Sequence, residues 1–183
     1  MKKVQVPFNA EQLSNLLAGD RILLSGTVYT ARDAAHKRMV EDIENRLPLP
    51  FDIKGQVIYY VGPTPAKPGQ VIGSAGPTTS SRMDKYTPKL LELGLKGMIG
   101  KGYRNEEVKT SLGKHRAVYL GAIGGSAALI SRSIKSVELI AYEDLETEAI
   151  RKLVIEELPL FVINDVHGGD LYNEGVRKYR KIN

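Results

Sequence analysis

The densest run of side chains able to hold or transfer charge is Gly73-Ser74-Ala75-Gly76-Pro77-Thr78-Thr79-Ser80-Ser81-Arg82-Met83-Asp84. A short strand leads into it and a helix leads out. Free backbone N–H groups and the helix dipole would then favour an anion in the loop. Thr78, Thr79, Ser80 and Ser81 add hydroxyls, and Arg82 adds a guanidinium that can grip a carboxylate through two parallel bonds. Taken alone, the run also reads as a capped helix start with a surface arginine. The Gly-x-x-x-x-Gly-Lys-Ser/Thr order of a Walker A loop is absent.

Three further segments have the same character. In Thr27 to Lys37 a strand again meets a helix start, with Arg32 at the junction. Asp33 can hold Arg32 or cap the helix, and His36, one turn later, is either a supporting or a simply packed residue. Gly100-Lys101-Gly102 offers a point charge between two glycines, or a plain turn with an exposed lysine. Gly121-Ala122-Ile123-Gly124-Gly125-Ser126 is a tight turn for close helix packing or a further anion-facing helix start. Together, three strand-end loops each present a cation: Arg32, Arg82 and Lys101. Ligands collect at such loop ends in α/β folds. A small dianion such as a dicarboxylate matches the set. No Ser-His-Asp set or paired carboxylates specify a reaction.

The elements that must position these loops alternate between strand and helix, which predicts an α/β layered fold with a sheet that need not be purely parallel. Strands are expected at Arg21–Thr30 (bent at Gly26), Gln56–Val61, Val71–Ile72, Gly97–Gly100, Ala117–Leu120, Val137–Tyr142 and Leu160–Asn164. Helices are expected at Asn9–Ala18, Ala31–Arg46, Arg82–Leu93, from Asn105 to Leu112, from Ser126 to about Arg132, and at Leu145–Lys152. The N-terminus reads as polar, and the chain beyond Gly168 as polar and turn-rich.

Composition removes several functional classes. At 183 residues, one domain over 1–183 is expected, with a tail from about 171 that can be mobile. There is no cysteine, so no disulfide, thiol nucleophile or thiolate metal ligand exists. His36, His115 and His167 lie far apart without zinc-ligand spacing, so no metal site is expected in the chain itself. Metal chemistry would have to come from another chain. The net charge of +5 suits an anionic substrate or an acidic partner. Basic residues do not interleave with stacking aromatics, which argues against nucleic acid. No apolar run reaches membrane length and no secretory leader is evident, so no membrane partner and a cytoplasmic location are expected.

Four ordered motifs then carry a resemblance. They are Gly26-Thr27-Val28-Tyr29-Thr30-Ala31-Arg32-Asp33-Ala34-Ala35-His36-Lys37, Gly76-Pro77-Thr78-Thr79-Ser80-Ser81-Arg82-Met83-Asp84, Gly100-Lys101-Gly102, and Tyr119-Leu120-Gly121-Ala122-Ile123-Gly124-Gly125. With the stretch from Ile134 to Asp165, the chain resembles the β subunit, or C-terminal domain, of class I iron–sulfur fumarate hydratases and L-tartrate dehydratases. The resemblance implies a swivelling β/β/α domain docked on an α subunit, in an α2β2 assembly, whose cysteines carry a 4Fe–4S cluster. It implies reversible addition of water to a four-carbon diacid. Thr78 would handle the proton, and Arg32, Arg82 and Lys101 would hold the carboxylates. Asp33, His36, Thr79, Gly124 and Gly125 would support them. Ser81 departs from the glycine usual before Arg-Met-Asp, which bears on the substrate preferred. Fumarate hydration is the first reading and dehydration of L-tartrate or another hydroxy-dicarboxylate the alternative. A non-catalytic dicarboxylate-binding module is the reading from a different class.

Overall fold

Along Val57 to Tyr60 successive side chains alternate between two apolar clusters, Val57 and Tyr59 in one, Ile58 and Tyr60 in the other. A strand with both faces apolar must be covered on both sides. The computed structural model, which describes residues 1–122 and 127–180, shows how. Among these residues the strands are β1 (Lys2–Val6), β2 (Arg21–Thr30), β3 (Val57–Tyr59), β4 (Gly97–Gly100), β5 (Val118–Gly121), β6 (Ile134–Ala141) and β7 (Ile150–Asn164). They form one sheet in the order β1-β2-β3-β4-β5-β7-β6, with β2 also paired to β7. Neighbours from β1 to β5 are parallel, while β7 runs antiparallel to β2, β5 and β6. The pairing β2-β3-β4-β5-β7-β2 therefore closes a ring, and β1 and β6 extend it.

The two clusters lie on opposite faces of the parallel strands. One gathers Val57, Tyr59, Ile99, Val118 and Leu120 with Leu24, Val28 and Leu153 from β2 and β7. The other packs Ile58, Tyr60, Met98 and Tyr119 against three helices: α2 (Asp33–Glu44), α3 (Thr87–Glu92) and α4 (Glu106–His115). Met39, Leu90, Leu91, Val108 and Leu112 supply their buried faces. The mixed α/β architecture expected from the alternation of elements is present.

Several boundaries differ from the sequence reading. The N-terminal residues form a strand, because Val4 and Val6 alternate inward beside β2. The first helix, α1 (Ala10–Ser14), is shorter than expected, although Asn9 and Gln12 cap each other reciprocally as a capping box. Val71–Ile72 is not a strand. The expected helix from Arg82 to Leu93 is divided into a 3-10 turn (Ser80–Met83) and α3. Asp84 between them takes Arg104 and the Asn105 N–H onto its carboxylate, and Pro88 suits only a fresh helix start.

Leu145–Lys152 is not a helix. A 3-10 turn (Glu143–Glu148) leads into β7, whose Ile150, Leu153, Ile155, Leu158 and Leu160 face the core. Pairing on both sides outweighs the local charge-rich composition that suggested a helix. β7 is irregular at Glu157, where φ is 50°, opposite the bulge between Leu24 and Gly26. Between α5 (Ala127–Arg132) and β7 lies β6. Finally, Leu171–Tyr179 forms α6, capped by Asp170, where a turn-rich tail was expected.

Candidate functional site

Because β2, β3, β4 and β5 are parallel, their C-terminal ends emerge on one edge of the sheet. Arg32 follows β2 and Lys101 follows β4. The Thr78–Arg82 stretch returns to this edge and inserts beside it. The Thr78 N–H donates to the Tyr60 carbonyl at 2.7 Å, the Lys101 N–H to the Thr78 carbonyl at 3.2 Å, and the Ser80 N–H to the Lys101 carbonyl at 2.8 Å. Thr79 and Lys101 thus form an isolated parallel bridge. A Cβ at Gly100 would lie 2.0 Å from Ser80 Oγ, so this approach requires the glycine. The arrangement corrects one expectation: the amides of Thr78 and Ser80 are taken by backbone carbonyls rather than open to an anion.

The charged side chains form a chain of ion pairs. Glu148 Oε1 lies 3.0 Å from Arg32 Nε, Arg32 Nε lies 3.8 Å from Asp33 Oδ1, and Arg82 Nη2 donates to Asp33 Oδ2 at 2.6 Å. Asp33 therefore holds Arg82 more closely than Arg32. Burial opposes ionisation of Asp33, but its own backbone N–H and the Arg82 and Arg32 guanidiniums outweigh this and hold its carboxyl below the usual range. Lys101 is exposed and has no ion-pair partner among the described residues. Three cations against two carboxylates leave one net positive charge. Asp33 and Arg82 line a cavity of about 360 Å³, and Lys101 lines a separate apolar one of about 350 Å³ with Ala122 and Tyr172. Thr78 is half-buried, and its hydroxyl makes no hydrogen bond among the described residues. Thr79 is exposed.

His36 is fully buried between Tyr60 and Tyr86. Its Nδ1 lies 2.8 Å from the Arg32 carbonyl oxygen, so Nδ1 carries the proton and donates. Burial pushes its pKa down to about 4, so it is neutral near pH 7. It supports the Arg32 turn from beneath. Gly124 and Gly125 lie outside the described residues.

Two groups were not singled out by sequence reasoning. One is Glu148. The other is the layer under the loops, where Arg104 is fully buried. Arg104 donates from Nε to Asp84 at 2.6 Å and from Nη2 to Thr87 Oγ1 at 2.7 Å, and its guanidinium lies over the rings of Tyr60 and Tyr119. Burial opposes its charge, but Tyr60 and Asp84 prevail and raise its pKa further. Tyr119 shares a hydrogen bond with Ser80 at 2.8 Å and donates to the Gly102 carbonyl at 2.9 Å. One layer therefore fixes both the Thr78–Arg82 and Lys101–Gly102 loops. The signal was present in part, since Arg104 closes the Gly100–Arg104 segment and Asp84 ends the Thr78 segment.

Among the described residues no group of three His, Cys, Asp or Glu side chains could hold a metal ion, and the chain has no cysteine. This donor set does not fit an iron–sulfur cluster. No helix among them is long and apolar enough to cross a membrane.

A family model described as Fumarase C-terminus matches residues 1–175. The chain is 41% identical over 165 residues to "Fumarate hydratase class I, aerobic" of Escherichia coli (strain K12), an alignment covering 89% of this chain and 30% of that protein. It is 40% identical over 166 residues to "Fumarate hydratase 2" of Leishmania major, covering 90% of this chain and 29% of the relative. It is 36% identical over 180 residues to "Putative L(+)-tartrate dehydratase subunit beta" of Methanocaldococcus jannaschii, covering 94% of this chain and 92% of the relative. The chain thus spans about three tenths of the length of these fumarate hydratases and nearly all of the tartrate dehydratase subunit.

Proposed function

The chain belongs to the Fumarase C-terminus family, and from that premise we propose that it is the β subunit of a hydro-lyase interconverting fumarate and L-malate. The observation that carries the reading is the single sheet edge holding Arg32, Thr78, Arg82 and Lys101, bound together by the Thr79–Lys101 bridge and the Arg82–Asp33 ion pair. Arg32, Arg82 and Lys101, on separate elements, suit the two carboxylates of a diacid. Lys101 is free to take one directly, while Arg82 must exchange Asp33 for the substrate.

Thr78 is bound through its backbone to Lys101 and precedes Arg82 by four residues, and its hydroxyl makes no hydrogen bond among the described residues. A threonine hydroxyl is a weak base at its ordinary pKa, and nearby positive charge favours its ionised form. In this reading Thr78 exchanges the proton on the carbon adjacent to the hydroxyl-bearing one. The iron–sulfur cluster that the family resemblance implies finds no ligands in this chain. It belongs to an α subunit in an α2β2 assembly, where its Lewis acidity would act on the departing hydroxide. The mixed sheet with helices packed on one face supports reading the chain as a swivelling β/β/α domain.

A second reading, L-tartrate dehydratase, is favoured by the relative that this chain matches almost end to end. Ser81, exposed beside Arg82, is the departure that could shift preference toward a hydroxylated diacid. Anaerobic co-purification with a cysteine-bearing α subunit decides between them, with fumarate, L-malate and L-tartrate assayed in parallel. Turnover of fumarate and L-malate is expected from the complex and not from the chain alone. A cluster-loaded complex that neither adds nor removes water on any of these diacids overturns the hydro-lyase reading. Tight diacid binding by the chain alone would then favour the binding-module alternative.

A further inference from the structure

Glu148 sits on the 3-10 turn before β7, 114 residues beyond Ala34 in sequence, yet it meets the start of α2. Its carboxylate is divided between two tasks. Oε1 lies 3.0 Å from Arg32 Nε, and Oε2 accepts the Ala34 backbone N–H at 3.2 Å. One side chain therefore fixes both the guanidinium and the backbone that carries it. The Arg32 residue itself provides no side-chain cap for this helix, so the Ala34 amide depends on Glu148.

Gly62 also crowds Arg32. A Cβ there would lie 2.9 Å from Nη1, 3.1 Å from Cδ and 3.2 Å from the Thr147 carbonyl oxygen. Gly62 therefore packs closely on Arg32 and on the turn bearing Glu148. Its Nε is buried and meets Glu148 as an ion pair without hydrogen-bond alignment, and its two terminal nitrogens likewise make no hydrogen bond among the described residues. A guanidinium held at its Nε side and unengaged at its terminal pair is set for a carboxylate approaching that pair.

We propose that Glu148 is the positioning residue for Arg32, pinning the Nε side of the guanidinium so that its terminal nitrogens are presented to a substrate carboxylate. This rests on the reading of Arg32 as a substrate grip.

The test compares Glu148→Gln, Arg32→Ala and the double variant in the complex with the α subunit, using L-malate dehydration. Gln keeps the size of the side chain and an acceptor for the Ala34 N–H. Glu148→Gln is expected to raise KM about tenfold with a smaller change in kcat, and the double variant to be no worse than Arg32→Ala. An unchanged KM in Glu148→Gln, with a raised one in Arg32→Ala, overturns the role of Glu148 and leaves the site reading standing. Additive effects in the double variant also overturn it. A wild-type KM in Arg32→Ala removes both. Should Glu148→Gln fail to fold, Glu148→Asp, one methylene shorter, serves the same comparison, and an unchanged KM there counts against the role. A readout independent of activity is the Arg32 Nε–Hε resonance of the isolated chain. It is expected to exchange with water more slowly in wild type than in Glu148→Gln, and equal exchange overturns the proposal.

Discussion

Arg82 and Lys101 bear the same charge in opposite circumstances. Arg82 is bound to Asp33 at 2.6 Å, whereas Lys101 has no such partner among the described residues. Removing each should therefore have different consequences in the assembled enzyme. Lys101→Ala deletes an attraction and should lower kcat/KM, chiefly by raising KM. Arg82→Ala deletes an attraction and also leaves the Asp33 carboxylate with only its longer contact to Arg32, at 3.8 Å, beside a dianion. Its loss should exceed that of Lys101→Ala, and adding Asp33→Asn should restore part of it. Steady-state kinetics of the three variants check this, and no rescue by Asp33→Asn would mean that Asp33 does not face the substrate. Thr78→Ala should lower kcat by on the order of 10²–10⁴, the usual worth of a positioned proton-transfer group, with little change in KM. That Arg32, Thr78, Arg82 and Lys101 reach one sheet edge was legible because they sit at strand ends in short motifs. That Asp33 holds Arg82 rather than its neighbour Arg32 was not, since nothing local places residues 49 apart side by side.

At the scale of elements, the 3-10 turn bearing Arg82 is held from below by Arg104. This guanidinium joins Asp84 after the turn to Thr87 at the start of α3, and it lies over the rings of Tyr60, just after β3, and Tyr119 of β5. Arg104→Met keeps the approximate volume but leaves Asp84, only 8% exposed at its side chain, as an uncompensated charge. Stability should fall by about 3–5 kcal/mol, the usual cost of breaking a buried pair from one side. Urea unfolding measures it, and a change under about 1 kcal/mol would mean that Asp84 finds another partner. Adding Asp84→Asn should recover part of the loss. The same scale explains what the sequence hid. β2, α2 and β4 were readable because their apolar patterns are long or clearly periodic. Of β7 only the end, Leu160–Asn164, was readable, because the stretch around Arg151 and Lys152 is charge-rich and becomes a strand only by pairing with β2 and β6 at once. β1 was hidden by its lysines, which blunt an edge strand. α6 was hidden by polar residues that expose most of its surface.

At the scale of the whole molecule, the ring closed by β7 ties the chain's last strand to both β2 and β5, so the loops at its edge share one framework with the core beneath them. A strain placed in that framework is a strain on global stability, and His36 places one that depends on pH. Folding buries the imidazole completely and lowers its pKa from the ordinary 6.5 to about 4, mainly by desolvation and further by the Arg104 charge, against the opposing Arg32 carbonyl and Asp33. Between these two values the unfolded chain binds a proton that the folded chain does not, so stability rises with pH there and falls on acidification. The neutral imidazole's contribution is complete above about pH 6.5 and is lost as pH falls toward 4. At about pH 5 the loss amounts to ~2 kcal/mol relative to neutrality. Asp33 and Asp170, whose carboxyls are held below their ordinary range, add their own acid sensitivity at lower pH. His36→Asn separates the two contributions, because Asn offers a donor near the Nδ1 position and does not titrate. Its urea midpoint should change little between about pH 7 and pH 5, while that of the wild type falls. Parallel declines in the two proteins would show that His36 takes up its proton without opposing the fold, and would return the acid response to the carboxylates alone.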